Sequence, residues 1–118
     1  MKCPSCHNEM HISSRACIAC GVEVKGRFCE PRLSRLSSEM QRLAELFILH
    51  GGNLKELAPV LDVSYPTLRK RVDIMVEDLR ALHEEDQRQI AFWLQAVERG
   101  EMTAEVVARM IREMNGES

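Results

Sequence analysis

The sequence predicts a mainly α protein: a small N-terminal β ribbon, a central unit of three helices and a C-terminal helical hairpin. Two C-x-x-C pairs fall within the first twenty residues, in a segment with too few apolar residues for a core. From Leu36 onward apolar residues recur at three- and four-residue steps. Turn signals near Gly51-Gly52, Asp62 and Gly100 then cut that pattern into separate helices. The expected modules are 1–30, 34–82 and 86–116.

Of the 118 residues 45% are apolar and 29% charged, which suits a folded domain, and 4% aromatic content leaves the core to Leu, Val, Ile and Met. The longest apolar run, IAFWL at 90–94, is far too short to span a bilayer, so no membrane association is expected. MKCPSCHNEM lacks the apolar stretch of a secretory signal, and a cytoplasmic location follows as an expectation. Residues 34–73 carry six Lys/Arg against five Asp/Glu, whereas 74–118 carry five against ten. With a net charge of -2, the chain has room for a local basic site but not for a general coating of nucleic acid.

Cys3-Pro4-Ser5-Cys6 and Cys17-Ile18-Ala19-Cys20 are separated by ten residues. A two-residue gap lets both thiolates of a pair turn onto one ion, and two pairs complete a tetrahedral four-sulfur shell. MHISSRA (10–16) and VEVKGRF (22–28) supply two strands around the second pair, with a turn at Gly21. This is the plan of a zinc ribbon. A disulfide framework fits poorly without a secretion signal, and a redox C-x-x-C fits poorly with two pairs in so small a segment. Iron, as a rubredoxin-like or iron–sulfur centre, stays open beside zinc. Four thiolates close the shell, so the expected cofactor is one structural Zn²⁺ on Cys3, Cys6, Cys17 and Cys20. Zinc binding of about 10–16 kcal/mol would fold a segment that buries little. His7 and His11 read as surface imidazoles, and Cys29 as a small buried side chain near the ribbon's end.

Leu33, Leu36, Met40, Leu43 and Phe47 form one helical face, with Ser38 and Gln41 as a capping box and Gly51-Gly52 as the stop, giving a helix over about 38–50. Asn53 caps a second helix with Glu56 as reciprocal partner, and Leu54, Leu57, Ala58 and Leu61 are its apolar side. Pro59 lies inside it and costs about 3 kcal/mol unless the helix bends or ends early. Asp62 is expected in the left-handed turn position. Ser64 caps a third helix, Pro66 falls in its first turn, and Leu68, Val72, Met75, Leu79 and Leu82 form its buried seam.

Three helices with a tight middle turn make a helix-turn-helix unit. If its third helix entered a major groove N-terminus first, Lys and Arg would meet phosphates and Ser64, Tyr65 and Thr67 the base edges. The expected contact set on double-stranded DNA is Lys55, Ser64, Tyr65, Thr67, Arg69, Lys70 and Arg71. The competing reading is a solvated face in which Arg69 pairs with Asp73 four residues on.

The stretch GN…A…V-S…TLRKRV resembles the Fis-type helix-turn-helix of bacterial nucleoid and enhancer-binding regulators. That resemblance implies phosphate contacts at Asn53, Thr67, Arg69, Lys70 and Arg71. Tyr65 stands where that type has a base-reading Arg, so its guanine preference does not carry over, and Pro59 interrupts a helix the type keeps clear. Over residues 1 to about 82, the CPxC ribbon, GRF (26–28), GNLKE and SYPTLRKRVD are similar to a bacterial family catalogued as a domain of unknown function. The resemblance implies a zinc ribbon plus helix-turn-helix transcription factor with no assigned activity.

His83-Glu84-Glu85-Asp86 reads as a solvated linker. Beyond it, Ile90, Trp93, Leu94 and Val97 form one stripe and Val107, Met110, Ile111 and Met114 another, with Gly100 ending the first helix and Thr103 capping the second. VERGEMTAEVVARMI is similar to small bacterial hairpin domains thought to support oligomerisation. A hairpin this small is expected to dock on the middle module or on a second chain. Candidate self-association positions are Met75, Leu79, Leu82, Ile90, Trp93, Val97, Val107, Met110 and Ile111. A homodimer is expected, because helix-turn-helix readers usually meet two half-sites.

Enzymatic activity is not expected: His7, His11, His50 and His83 are scattered, no Gly-rich phosphate loop occurs, and a four-thiolate metal site is closed. The leading expectation is a DNA-binding transcriptional regulator or architectural factor. The alternative is a zinc-ribbon adaptor that binds a protein of the transcription machinery without touching DNA.

Overall fold

The computed structural model describes residues 1–117 except Glu9 and Cys29, so the expectation for Cys29 lies outside the described residues. Two strands, β1 (Ser14–Ala16) and β2 (Glu23–Lys25), are followed by a 3-10 turn over Arg32–Arg35. Four helices come next: α1 (Ser38–Leu49), α2 (Leu54–Val60), α3 (Tyr65–Glu98) and α4 (Ala104–Met114). Contacts divide the chain into two units. One joins Met1–Arg35 to Arg88–Ser118, and the other is Leu36–Gln87.

The second unit holds the main core. Leu36, Leu43, Leu54, Leu57, Ala58, Leu68, Val72 and Met75 are buried together, with Leu57 and Leu68 fully inaccessible. Leu79 and Leu82, and Leu46 and Phe47 on α1, pack against this cluster. Met75, Leu79 and Leu82, expected as part of a self-association seam, therefore lie in or against the core of their own chain. Leu33 falls instead on the 3-10 turn and is exposed.

All four α-helices end in the same pair of hydrogen bonds. After α1, the Gly51 N–H donates to the Ile48 carbonyl and the Gly52 N–H to the Phe47 carbonyl. The same pattern recurs with Asp62 after α2, Gly100 after α3 and Gly116 after α4, each at positive φ. This is the Schellman closure, which satisfies carbonyls that the helix leaves unpaired. Three of these left-handed positions are glycine. The fourth, Asp62 at φ 54°, forms the turn between α2 and α3.

One expected cap is relocated and another lacks its reciprocal bond. Ser37, with extended backbone, and not Ser38, accepts the Met40 N–H at 3.2 Å; Gln41 donates its side-chain amide to the Leu36 carbonyl at 2.7 Å. Of two adjacent serines, the one before the first helical residue has the geometry to reach back. Asn53 caps α2 as expected, accepting from Lys55 and Glu56 N–H at 3.1 and 3.3 Å, but its own N–H donates to the His50 carbonyl. That donor has no need of the reciprocal Glu56 carboxylate. Pro59 is accommodated because α2 stops one residue later.

The largest departure is α3. His83-Glu84-Glu85-Asp86 is no linker; the helix runs through it without a break to Glu98. None of the four residues is a helix breaker, and between Pro66 and Gly100 the sequence has neither Gly nor Pro. Asp86 is 2% exposed and partnered. It continues the stripe of Leu79 and Leu82 toward Ile90, Trp93 and Val97. Leu94, expected in that stripe, is half exposed, and Ala96 is buried instead.

In the first unit β1 and β2 pair antiparallel with Arg15 opposite Val24, and the strands are shorter than the stretches expected for them. Both strands are largely exposed, Ile18 between them fully so, and the Arg15 guanidinium lies 5.4 Å from the Phe28 ring centroid. The end of α4 meets the ribbon's exit within this unit. Arg27 pairs with Glu113 at 3.8 Å, and Arg32 donates to the Asn115 side-chain oxygen at 3.2 Å. A Cβ on Gly116 would come within 3.2 Å of Pro31. Ala96 and Val107 are this unit's buried apolar residues.

Truncating Leu68, fully buried between α2 and α1, should remove about 2–5 kcal/mol of stability. Urea unfolding of Leu68→Ala against the parent chain, followed by circular dichroism at helix wavelengths, measures it.

Candidate metal knuckles and nucleic-acid interface

The two C-x-x-C pairs adopt one backbone design. In the first, the Cys3 N–H donates to the Asn8 carbonyl at 2.8 Å and the His7 N–H to the Cys3 carbonyl at 2.9 Å. In the second, the Cys17 N–H donates to the Val22 carbonyl at 2.8 Å and the Gly21 N–H to the Cys17 carbonyl at 2.9 Å. Each loop turns at its fifth residue, His7 at φ 63° and Gly21 at φ 76°. Glycine reaches that region freely; His7 pays a steric cost of about 1–2 kcal/mol.

The loops aim amides at sulfur. The Cys3 thiol is held below its ordinary pKa by the Cys6 backbone N–H first, then by the Ser5 N–H, which lies 3.4 Å from Sγ, and by the Cys6 side chain. Cys17 is lowered in the same way, by the Cys20 N–H first and then that of Ala19. Hydrogen bonds to a charged sulfur favour the thiolate, the form that ligates metal. No disulfide joins these four cysteines. Among the described residues no group of three or more His, Cys, Asp or Glu side chains is gathered at metal-holding distance, so the structure builds the two knuckles singly. The donor chemistry of each, two soft sulfurs with amides pointing at one of them, fits zinc. His7 and His11 are exposed, as expected for surface imidazoles.

In the second unit the first turns of α3 are placed by their buried side. Leu68 and Val72 face the core, which turns Tyr65, Thr67, Arg69, Lys70 and Arg71 to the surface. The first turn of α3 contains no acidic residue, so its N-terminal partial charge is uncompensated from within the helix. Ser64 is occupied: its hydroxyl accepts the Thr67 N–H at 3.3 Å and donates to Thr67 Oγ1 at 2.8 Å. Asn53 is likewise committed through its oxygen to capping α2, leaving only its amide N–H groups for another acceptor. Arg69 sits 3.5 Å from Asp73, the pairing of the competing reading, with both side chains well exposed. Lys55, Lys70 and Arg71 are exposed, and among the described residues none forms an ion pair.

One feature near this surface had no counterpart in the sequence reading. Glu39, Met40, Arg42, Leu43 and Leu46 of α1, with Leu61 and Arg71, line a cleft of about 110 Å³. Its residues come from three elements far apart in sequence, and no local spacing signals them.

A sulfur-paired ribbon followed by a helix-turn-helix unit defines a zinc-ribbon/helix-turn-helix protein. Residues 3–34 match a family model described as the DUF2089 zinc ribbon, and residues 36–82 match one described as "Domain of unknown function (DUF2089)-HTH". The chain belongs to this family. Comparison with curated proteins and with solved structures gives no match. Among the described residues no helix is long and apolar enough to cross a membrane.

Gly21 has open space around its Cβ position, so a substitution there reports backbone conformation alone. Gly21→Val should destabilise the ribbon by about 1–2 kcal/mol through its positive φ. Amide hydrogen exchange at Cys17, whose N–H the Val22 carbonyl accepts, should quicken accordingly, with exchange at Leu57 and Leu68 unchanged.

Proposed function

We propose that this chain is a DNA-binding transcriptional regulator or architectural factor whose reader is the N-terminal part of α3. The ribbon and the helix-turn-helix unit together point to a nucleic-acid-binding regulatory role and away from catalysis. The observation that carries the finer reading is the exposure of Tyr65, Thr67, Lys70 and Arg71 on a helix start free of acidic residues, held in rotation by fully buried Leu68. Lys70, Arg71 and Lys55 would neutralise phosphates, and the helix start would add its N–H groups. Tyr65, 44% exposed, would meet base edges, with Thr67 beside it. Ser64 serves the reader by capping it. The resemblance of TLRKRV to the Fis type supports the same assignment.

Zinc belongs to the ribbon in this reading. Cys3, Cys6, Cys17 and Cys20 would hold one Zn²⁺, a closed structural site that stabilises a segment with almost no core. Half-buried Ile90, Trp93, Val97, Met110 and Ile111 support a homodimer, which would offer two readers to two half-sites. The Arg69–Asp73 pair and the net charge of -2 favour the second reading, an adaptor that binds a transcription protein.

Fluorescence anisotropy of the zinc-loaded protein on a random-sequence duplex, titrated at several salt concentrations, separates the two. The reader predicts log K falling with log salt by about 0.9 per phosphate contact, and a slope reduced by about one in each of Lys70→Ala and Arg71→Ala. No binding at low salt leaves the adaptor. A second expectation concerns the metal. Stripping zinc with a strong chelator should release one equivalent per chain and collapse the amide dispersion of residues 1–28, while the helical signal of residues 36–87 persists.

A further inference from the structure

We propose that the cleft lined by α1, Leu61 and Arg71 binds a small amphipathic carboxylate, one with an aliphatic tail of four to six carbons. Met40, Leu43, Leu46 and Leu61 give the cleft an apolar lining, and Arg42 and Arg71 line it as well. Its volume, about 110 Å³, is somewhat below the roughly 150 Å³ of an apolar cavity that admits benzene. A short branched alkyl group is of a size for that space.

The charges select the head group. Two guanidiniums and one carboxylate, Glu39, line the cleft, leaving one positive charge in excess. Glu39 lies in the first turn of α1, where the helix N-terminus already favours a negative charge. Among the described residues neither Arg42 nor Arg71 forms an ion pair. Arginine matches a carboxylate with two parallel N–H donors, so a carboxylate in the cleft answers both the guanidinium donors and the excess charge. A cationic or neutral ligand of the same shape would gain neither.

Arg71 belongs at once to this cleft and to the proposed reader. A carboxylate that engages Arg71 withdraws a phosphate contact, so the acid weakens DNA binding. This coupling rests on the DNA-binding reading; occupancy of the cleft does not.

The first experiment therefore uses no DNA. Methyl-labelled protein is titrated with 4-methylpentanoate and followed by the methyl resonances of Met40, Leu43, Leu46 and Leu61. Saturable shifts at these four, with a dissociation constant of roughly millimolar or tighter, are the expected result for a ligand of this size. The corresponding alcohol and acetate should each bind at least about tenfold more weakly, since one lacks the charge and the other the tail. Arg42→Gln should cost about tenfold as well. Absence of shifts at 10 mM, equal binding of acid and alcohol, or unchanged affinity in Arg42→Gln would each overturn the proposal. In a second arm, 4-methylpentanoate should lower the affinity of the parent chain for a duplex and leave that of Arg42→Gln unaffected. If no duplex binds at all, the DNA reading fails while the methyl shifts still decide the cleft.

Discussion

The burial of Leu57 and Leu68 in one core is the constraint on which the central unit depends. Leu57 sits on α2 and Leu68 on α3, and both are fully inaccessible. Once Leu68 is inward, the rotation of α3 is set: at about 100° per residue Lys70 is carried to the far side of the helix, and Arg71, about 60° from Leu68, lies at the margin of the buried face. The same rotation brings Arg71 to the edge of the α1 cleft. The exposed chemistry of this unit is thus a consequence of where two leucines must go. The Arg69–Asp73 contact, by contrast, is solvent-exposed on both sides and contributes a few tenths of a kcal/mol.

The ribbon is organised by the opposite principle. Its strands bury nothing of consequence, and its order comes from backbone hydrogen bonds that repeat between the two knuckles. Amides held toward Cys3 and Cys17 lower the cost of ionising those sulfurs before any ion arrives. Preorganisation of that kind converts more of the metal's binding energy into folding energy, because less is spent on arranging ligands. The end of α4 adds polar contacts to the ribbon's exit at Arg27 and Arg32, so this small module does not rest on its cysteine pairs alone.

Most of the helical plan was legible because it is written in local chemistry. Asn53, Ser64, Thr103, Gly51, Asp62 and Gly100 mark helix ends whose geometry needs only a few neighbouring residues. Three features were not legible in that way. The acidic run 83–86 looked like a linker because charge is commonest on solvated segments, yet Asp86 occupies a seat in the buried stripe, which only the tertiary environment can reveal. Leu94 was assigned inward because it sits between Trp93 and Val97, but the buried face is centred closer to Trp93 and takes Ala96 on the other side. The cleft with Arg42 and Arg71 joins positions almost thirty residues apart. The cysteine pairs, by contrast, were readable from spacing alone, and the repeated knuckle geometry follows from it.

The choice of Asp62 where the other three helix ends use glycine bears on how the proposed reader is held. A glycine there would relax the left-handed position but would also widen the range of conformations open to the chain between α2 and α3. Asp tolerates positive φ better than most residues, at a cost of about 1 kcal/mol, and in exchange it narrows the unfolded alternatives by a similar amount. The two effects nearly cancel in stability, so stability does not decide between them. They do not cancel in stiffness. At Gly51 and Gly100 a looser turn alters only how one helix follows another. At Asp62 it would let α3 swing about its buried Leu68, and the exposed row from Tyr65 to Arg71 would swing with it. A residue with a Cβ, strained but confined, is the better hinge pin at the one turn whose angle the surface chemistry depends on.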